Sequence, residues 1–272
     1  MGKFYDAIPS SLIPWLAAQP IFFVATAPLA GGSVNTSPKS REQDGIPLIQ
    51  IVDEHRVCYL DLTGSGNETI SHLRQDGNGR ITIMWVNLTE GPPRIVRVFG
   101  KGTVHERMDP SSAFHELAPP EDRLPQGVRA LIDIELHTCS TSCGYSIPVF
   151  SPISRARRTL AEWTEKRVSM PAADEHSDIV SNSLGSYWIT TNTLSLDGLP
   201  GLKTFEACTD PNEKERLARQ KREHDAFQAP HFESSKCRQA IATGWTSSAA
   251  QTSTATKPRG CIMTVALQRI LQ

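Results

Sequence analysis

Six short stretches in the first half of the chain are unbroken runs of apolar residues or alternate between apolar and polar. They are Ile21 to Ala27, Leu48 to Val52, Arg56 to Asp61, Arg80 to Asn87, Arg94 to His105 and Val128 to His137. Rich in Val, Ile, Phe and Tyr and separated by Gly, Pro and Asn, they read as β-strands joined by turns. Residues 33–37 read as a further short strand, leading into Pro38 and Lys39. The period differs between Tyr5 and Ala18, where Ile8, Leu12, Trp15 and Leu16 share one helical face; this predicts an opening helix interrupted near Pro9 and Pro14. Only two helices are expected between the strands, at about residues 67–75 and 111–117. That is too few for a doubly wound α/β sheet, so the pattern predicts a mainly β fold, a largely antiparallel barrel with flanking helices.

Beyond the strands, Ser154 to Val168 is basic and helical in pattern, with Arg155, Arg157 and Arg158 on what reads as a solvated face. From Lys203 onward the chain turns polar. It carries a charged stretch from Glu213 to His224, a low-complexity run from Thr246 to Thr256 and a last apolar piece from Ile262 to Leu271. The expected organisation is one domain over residues 1–202 and a poorly ordered extension over 203–272.

With 28 Lys and Arg against 29 Asp and Glu, the formal net charge is -1, which gives no global attraction to nucleic acid or to an anionic membrane. The apolar runs are too short to span a bilayer and the first residues lack a secretory pattern, so a cytoplasmic protein is expected. Six scattered cysteines then read as reduced thiols, Cys139 and Cys143 being the only close pair, and no Cys/His set has zinc spacing, so no metal is expected. The Asn-x-Ser/Thr matches at Asn35, Asn67 and Asn87 are chance occurrences in that setting.

The candidate chemistry centres on Asp61-Leu62-Thr63-Gly64-Ser65-Gly66-Asn67-Glu68-Thr69, which links an apolar strand to a helix start. The first turn of a helix leaves backbone N–H groups unpaired at the positive end of its dipole, and glycines let an anion approach closely. The same letters also form a capping box, in which Ser65 and Glu68 satisfy the helix end themselves. Both readings stand at this point.

The strand from Arg94 to His105 adds cations. Strand alternation sets Arg94 on one face with Val96 and Val98, and Arg97 on the other with Phe99 and Lys101. An Arg on either face suits phosphate, whose oxygens its planar fork pairs bidentately. Lys39, in the loop after the 33–37 strand, is a second anion contact or a solvated lysine. His55, His72, His105, His115 and His137 have no partner at a recognised catalytic spacing, and no hydrolase, Walker or dinucleotide motif occurs. What remains is a phosphate-bearing cofactor that carries the chemistry while the protein binds and orients it.

Taken in order, several segments resemble the pyridoxamine 5'-phosphate oxidase-like family, in particular a fungal and bacterial branch of it. They are Gly2 to Tyr5, Phe23 to Leu29, Val34 to Lys39, Tyr59 to Gly66, Glu90 to Arg97, Thr141 to Ser146 and Ser195 to Leu202, and the resemblance covers about residues 1–202. It implies an FMN-binding split barrel, six antiparallel strands with flanking helices, assembled as a homodimer with flavin at the subunit interface. In the oxidases, basic strand residues and a Ser-Arg-Lys turn hold the FMN phosphate. Here Lys39 takes the first position, and the turn from Thr63 to Thr69 takes the second without Arg or Lys. The implied cofactor contacts are therefore Lys39, Ser65, Gly66, Asn67, Thr69 and Arg97, with Arg94 beside them. Ile95 stands where the oxidases carry a flavin-contacting glutamine. Ser40 replaces a glycine of the branch and is followed by a longer charged loop, Arg41 to Asp44, that can reshape the cofactor edge. The oxidases' substrate-binding signature is not recognisable.

Three functions compete: an FMN-dependent oxidoreductase acting on a small-molecule substrate or electron donor, a non-catalytic flavin- or haem-binding barrel or scaffold, and a true pyridoxamine 5'-phosphate oxidase. No catalytic acid or base can be named from the sequence.

Overall fold

A computed structural model describes residues 2–150, 158–170 and 183–204. Ten strands fall within them: β1 (Lys3–Tyr5), β2 (Ile21–Thr26), β3 (Asn35–Ser40), β4 (Glu42–Gln43), β5 (Ile46–Pro47), β6 (Ile49–Asp53), β7 (Arg56–Leu62), β8 (Arg80–Val86), β9 (Arg94–Glu106) and β10 (Val128–Cys143). The helices are α1 (Ile13–Ala18), α2 (Glu68–Arg74), α3 (Phe114–Leu117), α4 (Thr159–Val168) and α5 (Leu184–Thr191).

Eight strands form one antiparallel sheet in the order β3-β2-β8-β9-β10-β7-β6, with β1 pairing the far half of β10. The six strands expected from the hydrophobic pattern lie side by side in it, from β2 to the edge strand β6. The sheet curls into a half-barrel, and Phe22, Val24, Tyr59, Ile83, Trp85, Val96, Val98, Ile132 and Ile134 fill its concave side. Leu48, Leu60, Phe114, Val128 and Leu131 form a second core on the other side of β7 and β10. Both faces of those strands are thus buried, which explains their unbroken apolar runs. The buried side of α2, Ile70 and Leu73, packs on this sheet, and Gly102 of β9 gives Leu73 room that a Cβ would take.

Three local expectations are corrected. Tyr5 to Ala18 is not one interrupted helix: its start pairs as β1, a 3-10 turn covers Ser10–Leu12, and α1 is only six residues long. Pro14 opens α1 instead of breaking it, because a helix's first turn needs no N–H from that residue. The 33–37 strand is shifted to Asn35–Ser40, which puts Lys39 in a strand rather than a loop. The charged insertion after it folds as the β4–β5 hairpin, turning at Asp44 and Gly45, both at positive φ. Arg155 and Arg157 of the basic segment lie outside the described residues, as does the predicted extension from residue 205 on.

Candidate functional site

A cavity of about 960 Å³ opens between β3, the end of β7, the 63–69 turn, the β4–β5 hairpin and the start of α4. Strand β3 lines it with Ser37 and Lys39, and Asn35 continues their row on the same strand face. Asn35 donates to Thr69 Oγ1 at 3.0 Å and accepts from Ser37 Oγ at 3.1 Å. Lys39 Nζ reaches Asp61 Oδ1 at 2.8 Å and sits 5.4 Å from the centre of the Tyr59 ring.

Asp61 is the electrostatic hub. Only 1% exposed, it takes Lys39 on one oxygen and the Arg129 Nε, at 2.8 Å, on the other. Burial works to raise its pKa, but the two cations and their hydrogen bonds outweigh burial and bring it down to about 2. Burial conversely pushes the Tyr59 hydroxyl well above its ordinary value. Both groups keep fixed charge states at neutral pH.

Arg129 does more than pair. Its Nη1 donates to the Gly64 carbonyl at 3.4 Å and its Nη2 to the Gly66 carbonyl at 2.8 Å. The capping box does not form: Asn67 is the N-cap of α2, and no side chain closes that end. Glu68 instead leans over Gly66, where its carboxylate fills the space a Cβ would need.

The rest of the turn is tied down by the chain after α5. Asn192 Nδ2 donates to Gly64 O at 3.0 Å, Asn67 Nδ2 to Asn192 O at 2.8 Å, and Trp188 Nε1 to Thr63 Oγ1 at 2.9 Å. Arg74 donates to Gly201 O at 3.0 Å, and the backbone N–H groups of Lys203 and Thr204 end on buried Glu106. The segment from Ser195 to Leu202, noted in the sequence only as a motif, is thereby part of what shapes the turn.

Of the residues singled out in the sequence, Lys39, Ser65, Gly66 and Thr69 line the cavity together. Asn67 is buried behind it with its amide spent on Asn192 and Ser71. Arg97 is on the opposite face of the sheet. The register shows why: Lys39 pairs with core residue Phe22, whereas Arg97 pairs with Met84 and Met84 with Phe23, and neighbours along one strand face opposite ways. Arg97 donates to Ser142 Oγ at 3.3 Å, and Arg94 lies over the Trp15 ring at 5.5 Å.

Sequence reasoning quoted Asp61 as the start of the turn motif without giving it a role, and missed Arg129 altogether. A signal was present: each is a charge set among apolar residues, and since Arg56 of β7 and Asp133 of β10 pair with each other, these two opposite charges of the same strands have reason to pair as well. At the cavity mouth Arg158 pairs with Asp44, and Arg41 with its neighbour Glu42 at 2.5 Å. The lining thus sets Lys39, Arg41, Arg129 and Arg158 against Glu42, Asp44, Asp61 and Glu68. Among the described residues no His/Cys/Asp/Glu group has the makings of a metal site, and no helix is long and apolar enough to cross a membrane.

No family model matches the chain. A protein of Aspergillus flavus, the pyridoxamine 5'-phosphate oxidase family protein ustO, is 34% identical over 215 residues, covering 74% of this chain and 78% of that one. The chain belongs to the pyridoxamine 5'-phosphate oxidase family. Solved structures give weaker likenesses. A HupZ variant from Group A Streptococcus superposes with a TM-score of 0.37 at 21% identity, covering 50% of this chain and 99% of that one. The FAD binding protein of Mycobacterium smegmatis gives 0.32 at 13%, with coverages of 50% and 96%. Scores of this size bear little on the fold, which the strand pairing establishes by itself.

Proposed function

We propose that this family member is a flavin-dependent oxidoreductase that binds FMN in the cavity between β3 and the 63–69 turn. The observation that carries the reading is the convergence of Lys39, the exposed Ser65 and Gly66, and Thr69 on one cavity, from two segments that the family resemblance assigned to the phosphate. The residues present fit the group. The volume of about 960 Å³ lies within the range of small-ligand sites, and the Gly64 and Gly66 carbonyls of the turn are already occupied by Asn192 and Arg129. Lys39, Ser65 Oγ and the turn amides would hold the phosphate. When bound, the flavin ring supplies hydride and electron transfer between a small reduced donor and an acceptor. The protein's part is to orient it and to shield it from water, with Leu48, Leu60 and Leu160 as apolar wall.

The active unit in this reading is a homodimer. Lys39 and Arg97 stand on opposite faces of one sheet, so they reach a single flavin only if each comes from a different copy. The protein works in the cytoplasm, and its substrate is a small molecule.

One observation favours a second reading, a flavin carrier without catalysis: each carboxylate lining the cavity is engaged by a cation or, for Glu68, approached by the Leu196 N–H at 3.5 Å. Among the described lining residues no free carboxylate is left for proton transfer. A haem carrier is less well supported, because the described lining offers no His, Cys, Met or Tyr as an axial ligand.

Titrating the protein with FMN while following flavin fluorescence tests the proposal. Saturable binding in the wild type that weakens about tenfold in Lys39→Ala, the size of one charge-assisted contact, is expected. Binding unaffected by the substitution contradicts the site. Reduction of the bound flavin by NADH or NADPH, followed at its long-wavelength band, separates an oxidoreductase from a carrier.

A further inference from the structure

We propose that the β4–β5 hairpin is a flap at the mouth of the cavity, hinged where it leaves β3 and latched to the start of α4 by the ion pair of Asp44 with Arg158, so that it gates the passage of ligand. This rests on the reading of that cavity as the ligand site.

The hairpin is well made inside and lightly tied outside. Asp44 and Gly45 take φ values of 54° and 79°, the conformation of a two-residue turn whose twist suits the strands, and Asp-Gly is a sequence that favours it. Gln43 pairs with Ile46 and Glu42 with Pro47, and the Glu42 carbonyl accepts from Ser40 Oγ at 2.7 Å. Neither strand joins the main sheet, and Ile46 belongs to neither buried core. Among the described residues, the one hydrogen bond or ion pair that residues 42–47 make outside residues 40–48 runs from Asp44 to Arg158.

The base, by contrast, is anchored. Arg41 donates its N–H to the Pro20 carbonyl at 3.1 Å, and its own carbonyl accepts from the Leu48 N–H at 2.7 Å, with Leu48 buried in the second core. A stiff two-stranded arm on a fixed base swings at residues 41 and 48.

The latch is weak. The Asp44 and Arg158 side chains keep 37% and 46% of their exposure, and an exposed ion pair contributes little and is screened by salt. Arg158 is steadied on its other side by Glu165, which takes its Nη2 at 3.0 Å. The two elements that meet at the pair both line the cavity: the hairpin with Glu42, Gln43 and Asp44, and the start of α4 with Arg158 and Leu160. Opening the latch therefore parts two walls of the cavity, and a moving wall of this kind sets the rates of binding and release.

The test measures FMN association and dissociation by stopped-flow flavin fluorescence in wild type, Asp44→Asn, Arg158→Gln and the double variant. Asn preserves the turn, because it accepts positive φ as Asp does. Unlatching predicts that each single substitution speeds association and dissociation together, by about threefold, and that the double variant is no faster than either. Salt should close the gap between wild type and the variants. The two substitutions change the charge at the mouth in opposite senses, so a field effect on the anionic ligand would push their rates apart. Rates that stay at wild-type values, or that move in opposite directions in the two variants, overturn the proposal. If wild type takes up no FMN, the flavin reading has failed and the flap is decided without ligand. Leu62 is half-buried on the cavity wall. Alkylation of the thiol introduced by Leu62→Cys with N-ethylmaleimide, followed by mass spectrometry of that peptide, should be about threefold faster when Asp44→Asn is added. Equal alkylation rates overturn the proposal.

Discussion

Asp61 is a buried carboxylate shared by two cations, and its removal is correspondingly expensive. Asp61→Asn leaves Lys39 and Arg129 facing each other without a counter-charge, and the expected loss is about 3–5 kcal/mol in chemical denaturation. Its lowered pKa also fixes a sign. The stability it contributes is complete above the ordinary value of 3.8 and is lost as pH falls toward about 2.

His72 adds an earlier step. Fully buried, it exchanges a hydrogen bond with Thr26 Oγ1 at 3.0 Å and approaches Asp197 at 3.5 Å, and burial lowers its pKa below 6.5 despite Asp197. Between the folded and unfolded pKa values the unfolded chain binds the extra proton. Stability should therefore begin to fall as pH drops below 6.5, and a melting-temperature profile against pH should lose that first step in His72→Gln.

Glu68 is expected to act in the opposite sense to Lys39. Its carboxylate leans over Gly66, where a phosphate would lie, so Glu68→Gln should tighten FMN binding by about 1 kcal/mol, roughly fivefold. A titration showing weaker binding instead would place the phosphate elsewhere.

At the scale of elements, the turn depends on the strand–loop pieces that grip it from both sides. A Cβ at Gly201 would run into Asn67 Nδ2 and the Asn192 carbonyl, so Gly201→Ala should cost about 3 kcal/mol and loosen the turn with it. Asn192→Ala removes the side-chain bond to the Gly64 carbonyl while its backbone carbonyl still accepts from Asn67, and should weaken FMN more than riboflavin.

These dependencies separate what was legible in the sequence from what was not. Strands β2, β6, β7, β8, β9 and β10 could be read because burial on one or both faces writes itself into residue type along the strand. The opening helix could not, because a three-residue strand held by β10 outweighed its helical spacing. Lys39 was legible as a cation but not as a strand residue, since Ser-Pro-Lys carries turn composition and only pairing with β2 makes it extended. The grip of Asn192 on Gly64, across 128 residues, has no local signature at all.

For the whole molecule, the division of the cations between two faces is the decisive feature. If a site draws Lys39 from one copy and Arg97 from another, Lys39→Ala and Arg97→Ala proteins each bind FMN poorly. Refolded together, they should regain about a quarter of the wild-type sites, because half the dimers are mixed and each of those rebuilds one of its two sites. No recovery would put both residues' roles within one chain or Arg97 outside the site. The most direct test of the account is the absorption spectrum of the protein after incubation with FMN, read across a gel-filtration peak. A two-banded flavin spectrum co-eluting with a dimer is the predicted result. A colourless protein peak, with all the flavin in the small-molecule volume, would contradict it.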